Sequence, residues 1–262
     1  MPTAAIHIRP RYVRRYTDPG VERLEKNCQF AFLDWQMPLD EAALICLDVW
    51  DRDIQADMHK RDDRITRMRI VPLVAACRRH GLQVIHAPAP PIAEASPNWV
   101  RLDGDEERPM EKPRSPDWPP PEFRSRTGPY ARYALPREAQ AAADKKLLDN
   151  ADFHKLVRPV GDEAVVATGE ELHRLCAQRG VLHLFYVGFH TPGCMTVRSY
   201  GIPQMAQRGF CCILVRDCTN GMETHETFDE QVCMRGAIAN LELGTAYTVA
   251  SDNLIEALGE VV

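Results

Sequence analysis

The stretch VLHLFYVGFHTPGCMTVRSYG (Val181–Gly201) decides the fold. It opens on a continuous apolar run, breaks at a Gly/Thr/Pro/Gly turn and resumes as a segment of helical character. An apolar run without polar alternation suits a strand buried on both faces, as in a parallel sheet. One thiol, Cys194, stands directly after the turn, whereas the other eight of the nine cysteines sit in ordinary apolar or surface contexts.

The same alternation recurs on both sides. AALICLDVW (Ala42–Trp50) is another doubly buried strand, with Asp48 where it ends. Residues 62–80 read as helical, with Pro72 kinking or restarting the helix and Gly81 stopping it. LQVIHA (82–87), EAVVAT (163–168), FCCILVRD (210–217) and AYTVAS (246–251) supply further strands, and GEELHRLCAQRG (169–180) and MRGAIANLELG (234–244) further helices. Strands alternating with helices predict an α/β fold with a parallel sheet and right-handed crossovers.

Two segments fall outside this pattern. Residues 1–40 read as an irregular N-terminal arm with Phe30, Phe32 and Trp35 as aromatic anchors. Residues 88–136 hold twelve of the twenty prolines and read as an insertion without regular structure: a cover for the site, an interface arm or a partly disordered segment. Trp99, Trp118, Phe123 and Tyr130 are its expected anchors, and its charge run DGDEER (103–108) is read as a solvated turn.

At 262 residues, 45% hydrophobic and 26% charged, the chain can bury an ample core and is read as one domain, 1–262. A net charge of −5 disfavours nucleic acid or a membrane surface as partner, and no apolar run approaches the roughly 20 residues of a membrane span. The basic N-terminus lacks the apolar centre of a secretion signal, and the odd, scattered cysteines form no C-x-x-C pair. The expectation is a reduced, cytoplasmic protein whose partner is a small-molecule substrate, with no cofactor and no metal.

Catalytic groups of such sheets collect at the carboxyl ends of the strands. Asp48 and Cys194 both fall there, Asp48 as base and Cys194 as nucleophile, its thiolate favoured by a helix N-terminus. Trp50 and Phe189 are candidate walls of a small pocket, and His190 a candidate to polarise substrate. From position alone, a packed and inert thiol is the commoner case.

Three pieces of this chain resemble the isochorismatase-like cysteine hydrolases, which include nicotinamidases, carbamoylsarcosine amidases and biuret hydrolases. ALICLDVW resembles the family's first strand, ending in its catalytic aspartate, here Asp48. VGFHTPGCMTVRSYGIPQMAQRGF resembles its Gly-x-x-Thr-x-x-Cys turn, with Gly188, Thr191 and Cys194 on pattern. CCILVRDCT resembles a later strand ending in an aspartate, here Asp217. The resemblance implies a three-layer α/β/α architecture with a six-stranded parallel sheet. It also implies a cis peptide Phe189–His190, an oxyanion hole formed by the amides of His190 and Cys194, and a dimer or tetramer.

The family's catalytic lysine has no counterpart: its slot falls near Thr168. Lys155 or Arg158 could reach in from upstream, with Lys155 preferred; if neither does, Asp48 would act alone, its pKa raised by the apolar neighbours of ALICLD. Nicotinamidases bind a metal after the first strand, but Asp57 and His59 of DRDIQADMHKRDD do not match that spacing, and His86 reads as structural. The expected activity is that of a cysteine-dependent amidohydrolase acting on a small amide, carbamoyl or ureido compound through a thioester. The alternative is a non-catalytic relative that binds a small molecule or a partner in the same cleft.

Overall fold

The computed structural model describes residues 4–101 and 118–261, so the charge run 103–108 lies outside the described residues. The strands are β1 (Ala5–Ile8), β2 (Arg11–Arg14), β3 (Gln29–Phe32), β4 (Trp35–Pro38), β5 (Ala42–Leu47), β6 (Gln83–Ala87), β7 (Ala164–Val165), β8 (His183–Gly188), β9 (Cys211–Thr219) and β10 (Tyr247–Val249). Eight of them form one sheet in the order β3-β2-β10-β9-β8-β5-β6-β7. The six contiguous strands from β10 to β7 are all parallel, as the family resemblance implies.

The apolar runs are continuous because both faces of these strands are covered. Leu44 and Cys46 of β5 face the layer holding Leu73, Val74 and Cys77 of the helix Val71–His80 and Leu254 and Leu258 of the helix Ser251–Gly259. Ala43, Ile45 and Leu47 face the opposite layer, with Leu172, Leu175 and Cys176 of the helix Gly169–Arg179 and Ile238 and Leu241 of the helix Val232–Glu242. Alternate side chains of one strand thus feed two cores, which gives three layers.

The N-terminal arm is not irregular. A parallel sheet ending at β10 would leave a row of unpaired backbone groups, and β2 covers that edge antiparallel, with β3 outside it. β1 and β4 form a separate two-stranded sheet. Phe30 and Phe32 do not anchor the arm: they are 52% and 53% exposed, each beneath a guanidinium, Arg11 at 4.1 Å and Arg9 at 5.7 Å from the ring centroids. Trp35 does anchor it, edge-on to Tyr247 at 4.7 Å.

The helix expected over 62–80 begins earlier, as Ala56–Ile65, passes through a π turn at Thr66–Ile70 and continues as Val71–His80. Pro72 sits in the first turn of that last piece, where a missing N–H matters least. The proline-rich insertion likewise contains short regular elements, the helices Pro90–Glu94 and Pro121–Ser125 and the 3-10 turn Gly128–Tyr133. Proline is well placed at the first position of a helix, and each of these starts near one. Trp99 bridges to Val165 along the outer edge of β7, and Phe123 packs edge-on against Tyr130 at 5.2 Å. Trp118, 72% exposed, anchors nothing among the described residues. Among those residues no helix is long and apolar enough to cross a membrane.

Candidate active site

β5 and β8 run side by side and end together. Gly188 closes β8 with φ 121°, and a Cβ there would lie 1.8 Å from the carbonyl oxygen of Leu47. Only glycine allows the two strand ends to pass this closely. Asp48 follows β5 with φ 47°, a left-handed conformation that aspartate tolerates better than most residues.

The Asp48 side chain is completely buried. Its Oδ2 accepts a hydrogen bond from Arg198 Nε at 3.0 Å, and the Cys194 thiol is a neighbour of the same carboxyl. Oδ1 is buried without a partner among the described residues. Burial pushes the Asp48 pKa up, while Arg198, the Cys194 thiol and His190 work the other way. The half-buried Cys194 thiol is pushed up to about 12, by burial first and then by the neighbouring carboxyl, with Arg198 and the His190 backbone N–H opposing. The helix that Cys194 opens is the single turn Cys194–Val197, too short to favour a thiolate as expected from the sequence. Burial and the carboxyl thus both hold Cys194 as a thiol at rest.

The turn before Cys194 is fastened on all sides. The Phe189–His190 peptide is cis. The carbonyl of His190 accepts from the N–H groups of Gly193 and Met195 at 3.0 and 3.1 Å. Thr191 N–H donates to the Asn220 carbonyl at 2.9 Å, and the Thr191 and Thr219 hydroxyls are 2.6 Å apart. The N–H groups of His190 and Cys194 donate to no backbone carbonyl among the described residues, and that of His190 faces the Cys194 sulfur.

No protein-family model matches the chain, and no curated protein matches it. Solved structures do. One is a cysteine hydrolase from Pseudomonas syringae pv. phaseolicola 1448A, with 16% identity and a TM-score of 0.55 over 86% of this chain and 95% of that one. Another is an isochorismatase-family protein from Chromobacterium violaceum ATCC 12472, with 16% identity and a TM-score of 0.50 over 85% of this chain and 95% of that one. The likeness is one of fold. This chain has the isochorismatase-like fold.

Within the isochorismatase-like fold of this chain, the cation beside Asp48 is Arg198 and not Lys155. Lys155 is exposed, and Arg158, also exposed, is held by Asp152. The slot near Thr168 is a helix start: the Thr168 hydroxyl accepts from Glu171 N–H at 3.1 Å, and the Glu171 carboxylate accepts from Thr168 N–H at 3.1 Å. A lysine there would remove half of this capping box. Arg198 lies four residues beyond Cys194, and its N–H donates to the Cys194 carbonyl at 3.0 Å. No helical i, i+4 relation marked it in the sequence, because the backbone is already extended at Arg198.

Of the expected pocket walls, Trp50 lines a cavity of about 1010 Å³ together with Arg198, Ile92 and Phe153. Phe189 does not, because it is fully buried among the core residues of one layer. The His190 ring stands edge-on to Trp50 at 6.3 Å and is bonded through Nε2 to Asp62 at 3.0 Å. Asp62 in turn accepts from Asn220 Nδ2 at 2.8 Å, so this buried network holds the ring in place.

Asp217 is at no reaction centre: it accepts from Ser251 N–H and hydroxyl at 2.8 and 2.7 Å and caps the helix Ser251–Gly259. His86 is structural, bonded to Glu163 at 2.9 Å. Asp57 is exposed and faces Arg61, and it takes no part with His59 in a metal-ligating group. The group of that kind among the described residues is Asp53, Asp62 and His190, whose donor atoms lie within 4.8 Å of one another. Sequence reasoning missed it because its members come from two distant loops and a helix.

Proposed function

We propose that this chain is a cysteine-dependent hydrolase of a small amide, carbamoyl or ureido compound. One observation carries the reading: the Asp48 carboxyl accepts from Arg198 Nε and neighbours the Cys194 thiol, while the N–H groups of His190 and Cys194 have no backbone carbonyl partner among the described residues. A cysteine hydrolase of the same fold supports it.

The steps follow from the charges. Asp48 accepts the thiol proton as Sγ forms a bond to the substrate carbonyl carbon, and the carbonyl electron pair moves onto oxygen. The amides of His190 and Cys194 receive that oxyanion. Protonated Asp48 then gives its proton to the leaving nitrogen as the C–N bond breaks, leaving a thioester. Water attacks the thioester, Asp48 takes its proton, and the departing sulfur recovers a proton from Asp48.

An arginine stays protonated throughout, so Arg198 cannot carry the proton as a lysine might. Its part is to keep a completely buried carboxyl ionised before the attack and to balance the thiolate after it. The competing reading of a non-catalytic binder rested on the empty lysine slot, and Arg198 supplies the charge which that slot lacks.

The test is ammonia release over a panel of amides, ureas and carbamates. Turnover by the intact protein and none by a folded Cys194→Ala variant is the expected result. Equal turnover by both would overturn the proposal.

A further inference from the structure

β9 sends its side chains alternately into the two cores. Cys212 and Leu214 enter the layer of the helix Val232–Glu242, and Arg216 follows them at the next position of that face. The neighbouring strand has run out by then, because β10 ends at Val249, opposite Val215. A cavity of about 540 Å³ opens beside Arg216, between the N-terminal arm and the helix Val232–Glu242. Its volume falls in the range of small-molecule sites. It shares no lining residue with the cavity at Arg198.

Arg216 is half-buried, and it makes no hydrogen bond or ion pair among the described residues. The carboxylates around it are committed elsewhere. Glu242, its side chain fully buried, accepts from Arg11 Nε at 2.8 Å and Nη2 at 3.3 Å, and the Thr248 hydroxyl donates to it as well. Asp217 is held by Ser251, and the exposed Glu230 faces Arg235 at 3.7 Å. Burial pulls the Arg216 pKa below its usual value and Arg11 adds to that, while Asp217 and Glu242 oppose. An arginine stays charged even so. Burial thus takes water from this guanidinium, and the protein returns no acceptor.

The charged residues of the cavity wall are Arg11, Arg216, Arg235, Glu230 and Glu242. Three arginines against two glutamates leave one net positive charge, and Arg11 and Arg235 keep donors of their own beside those of Arg216. That balance suits a monoanion better than a doubly charged phosphate, and the two-donor edge of a guanidinium matches a carboxylate. The rest of the wall carries no charge: the half-exposed ring of Phe30, with Val232, Gly236, Ile238 and Ala239.

We propose that this cavity is a second ligand site, for a small monocarboxylate with an apolar or aromatic tail. The carboxylate sits on the Arg216 guanidinium and the tail against Phe30 and Val232. The site is independent of the reaction at Cys194, so its test needs no turnover.

The probes are 3-phenylpropanoate, the neutral 3-phenylpropan-1-ol and phenyl phosphate, each titrated by calorimetry into the full chain near pH 8, where the phosphate is doubly charged. The carboxylate is expected to bind in the millimolar range or better, the scale for a molecule of this size. It should bind about 10–10²-fold more tightly than the alcohol, as for a charged hydrogen-bonded contact, and more tightly than the phosphate. Arg216→Met should bring the carboxylate down to the level of the alcohol. Gly236→Glu guards against a misfolded arginine variant: a Cβ there meets nothing within 4 Å, and its charge should weaken the carboxylate more than the alcohol.

Equal binding of carboxylate and alcohol, or no saturable binding at about 10 mM, overturns the proposal. Phenyl phosphate bound as tightly as the carboxylate overturns the monocarboxylate class. A preference that survives Arg216→Met and is lost in Arg198→Met places the anion in the other cavity and overturns the site. Sedimentation reads the remaining occupant: self-association abolished by Arg216→Met, without binding of the carboxylate, assigns the cavity to a second copy of this chain and overturns the ligand.

Discussion

Arg198 Nε donates to Asp48 Oδ2 at 3.0 Å across 150 positions of sequence, and the carboxyl it holds is completely buried. An unpaired carboxylate at that depth would take up a proton and lose its use as a base. The pair therefore sets the chemistry available to Cys194.

Replacing Arg198 with Met removes the group that opposes burial at Asp48, so the Asp48 pKa rises further. The protonated carboxyl can no longer accept the thiol proton at neutral pH. We expect kcat/KM to fall about 10²–10⁴-fold, with the acid limb of the pH–rate profile moved to higher pH. Arg198→Lys should recover part of the rate, while Lys155→Met should leave it unchanged. Steady-state profiles of the three variants check this, and a large loss in Lys155→Met would return the cationic role to that residue.

Asp48→Asn has opposite effects on thiol reactivity and on turnover. After burial, the neighbouring Asp48 carboxyl is what raises the Cys194 pKa most. Without it the thiol ionises at lower pH, so alkylation of Cys194 by iodoacetamide near pH 8 should quicken severalfold relative to the native protein. Turnover should drop by 10² or more, because the base is gone. Mass spectrometry of the labelled peptide measures the first effect, and slower labelling in the variant would contradict the arrangement.

Thr168→Lys places a lysine where the family resemblance expects one. It costs the capping box of the helix Gly169–Arg179, about 0.5–2 kcal/mol of stability. No gain in rate should follow, even when Thr168→Lys is combined with Arg198→Met. Thermal melts and ammonia release read the two outcomes, and rescue of the arginine variant would show that the slot remains functional.

Glu163 tests the electrostatics of the far edge of the sheet. Burial works to raise its pKa, but hydrogen bonds from Arg78 and His86 outweigh it and hold the group down at about 2. A folded-state pKa below the unfolded one contributes stability above about pH 4.5 and loses it as pH falls towards 2. Glu163→Gln should therefore lower the melting temperature at pH 7 and converge with the native protein as the pH approaches 2. A difference independent of pH would show that packing, not charge, is what Glu163 contributes.

Much of this molecule was legible as sequence because its signals are local. Continuous apolar runs mark β5, β6, β8 and β9, and the rule that parallel sheets work at their carboxyl ends points to Asp48 and Cys194 without any contact being known. Gly81 announces a helix end by residue type alone, whereas the close approach at Gly188 shows only in the structure. The pairing of β2 with β10 was not legible. Four residues of half-buried Arg-Tyr-Val-Arg carry no strong period, and a neighbouring edge is what makes them a strand.

The amino-acid sequence by itself determined the layered parallel sheet, the buried aspartate and the turn that presents Cys194, because each depends on patterns within a few residues. Only the tertiary structure decided which cation serves them. After the single turn Cys194–Val197 the backbone extends at Arg198, with φ −64° and ψ 147°, and its side chain reaches Asp48. The same holds for Phe189, which its neighbours enclose in the core, and for Asp53, Asp62 and His190, which meet through three separate segments. Side chains brought together over long sequence separations answer to the packing of whole layers, and no local pattern encodes that.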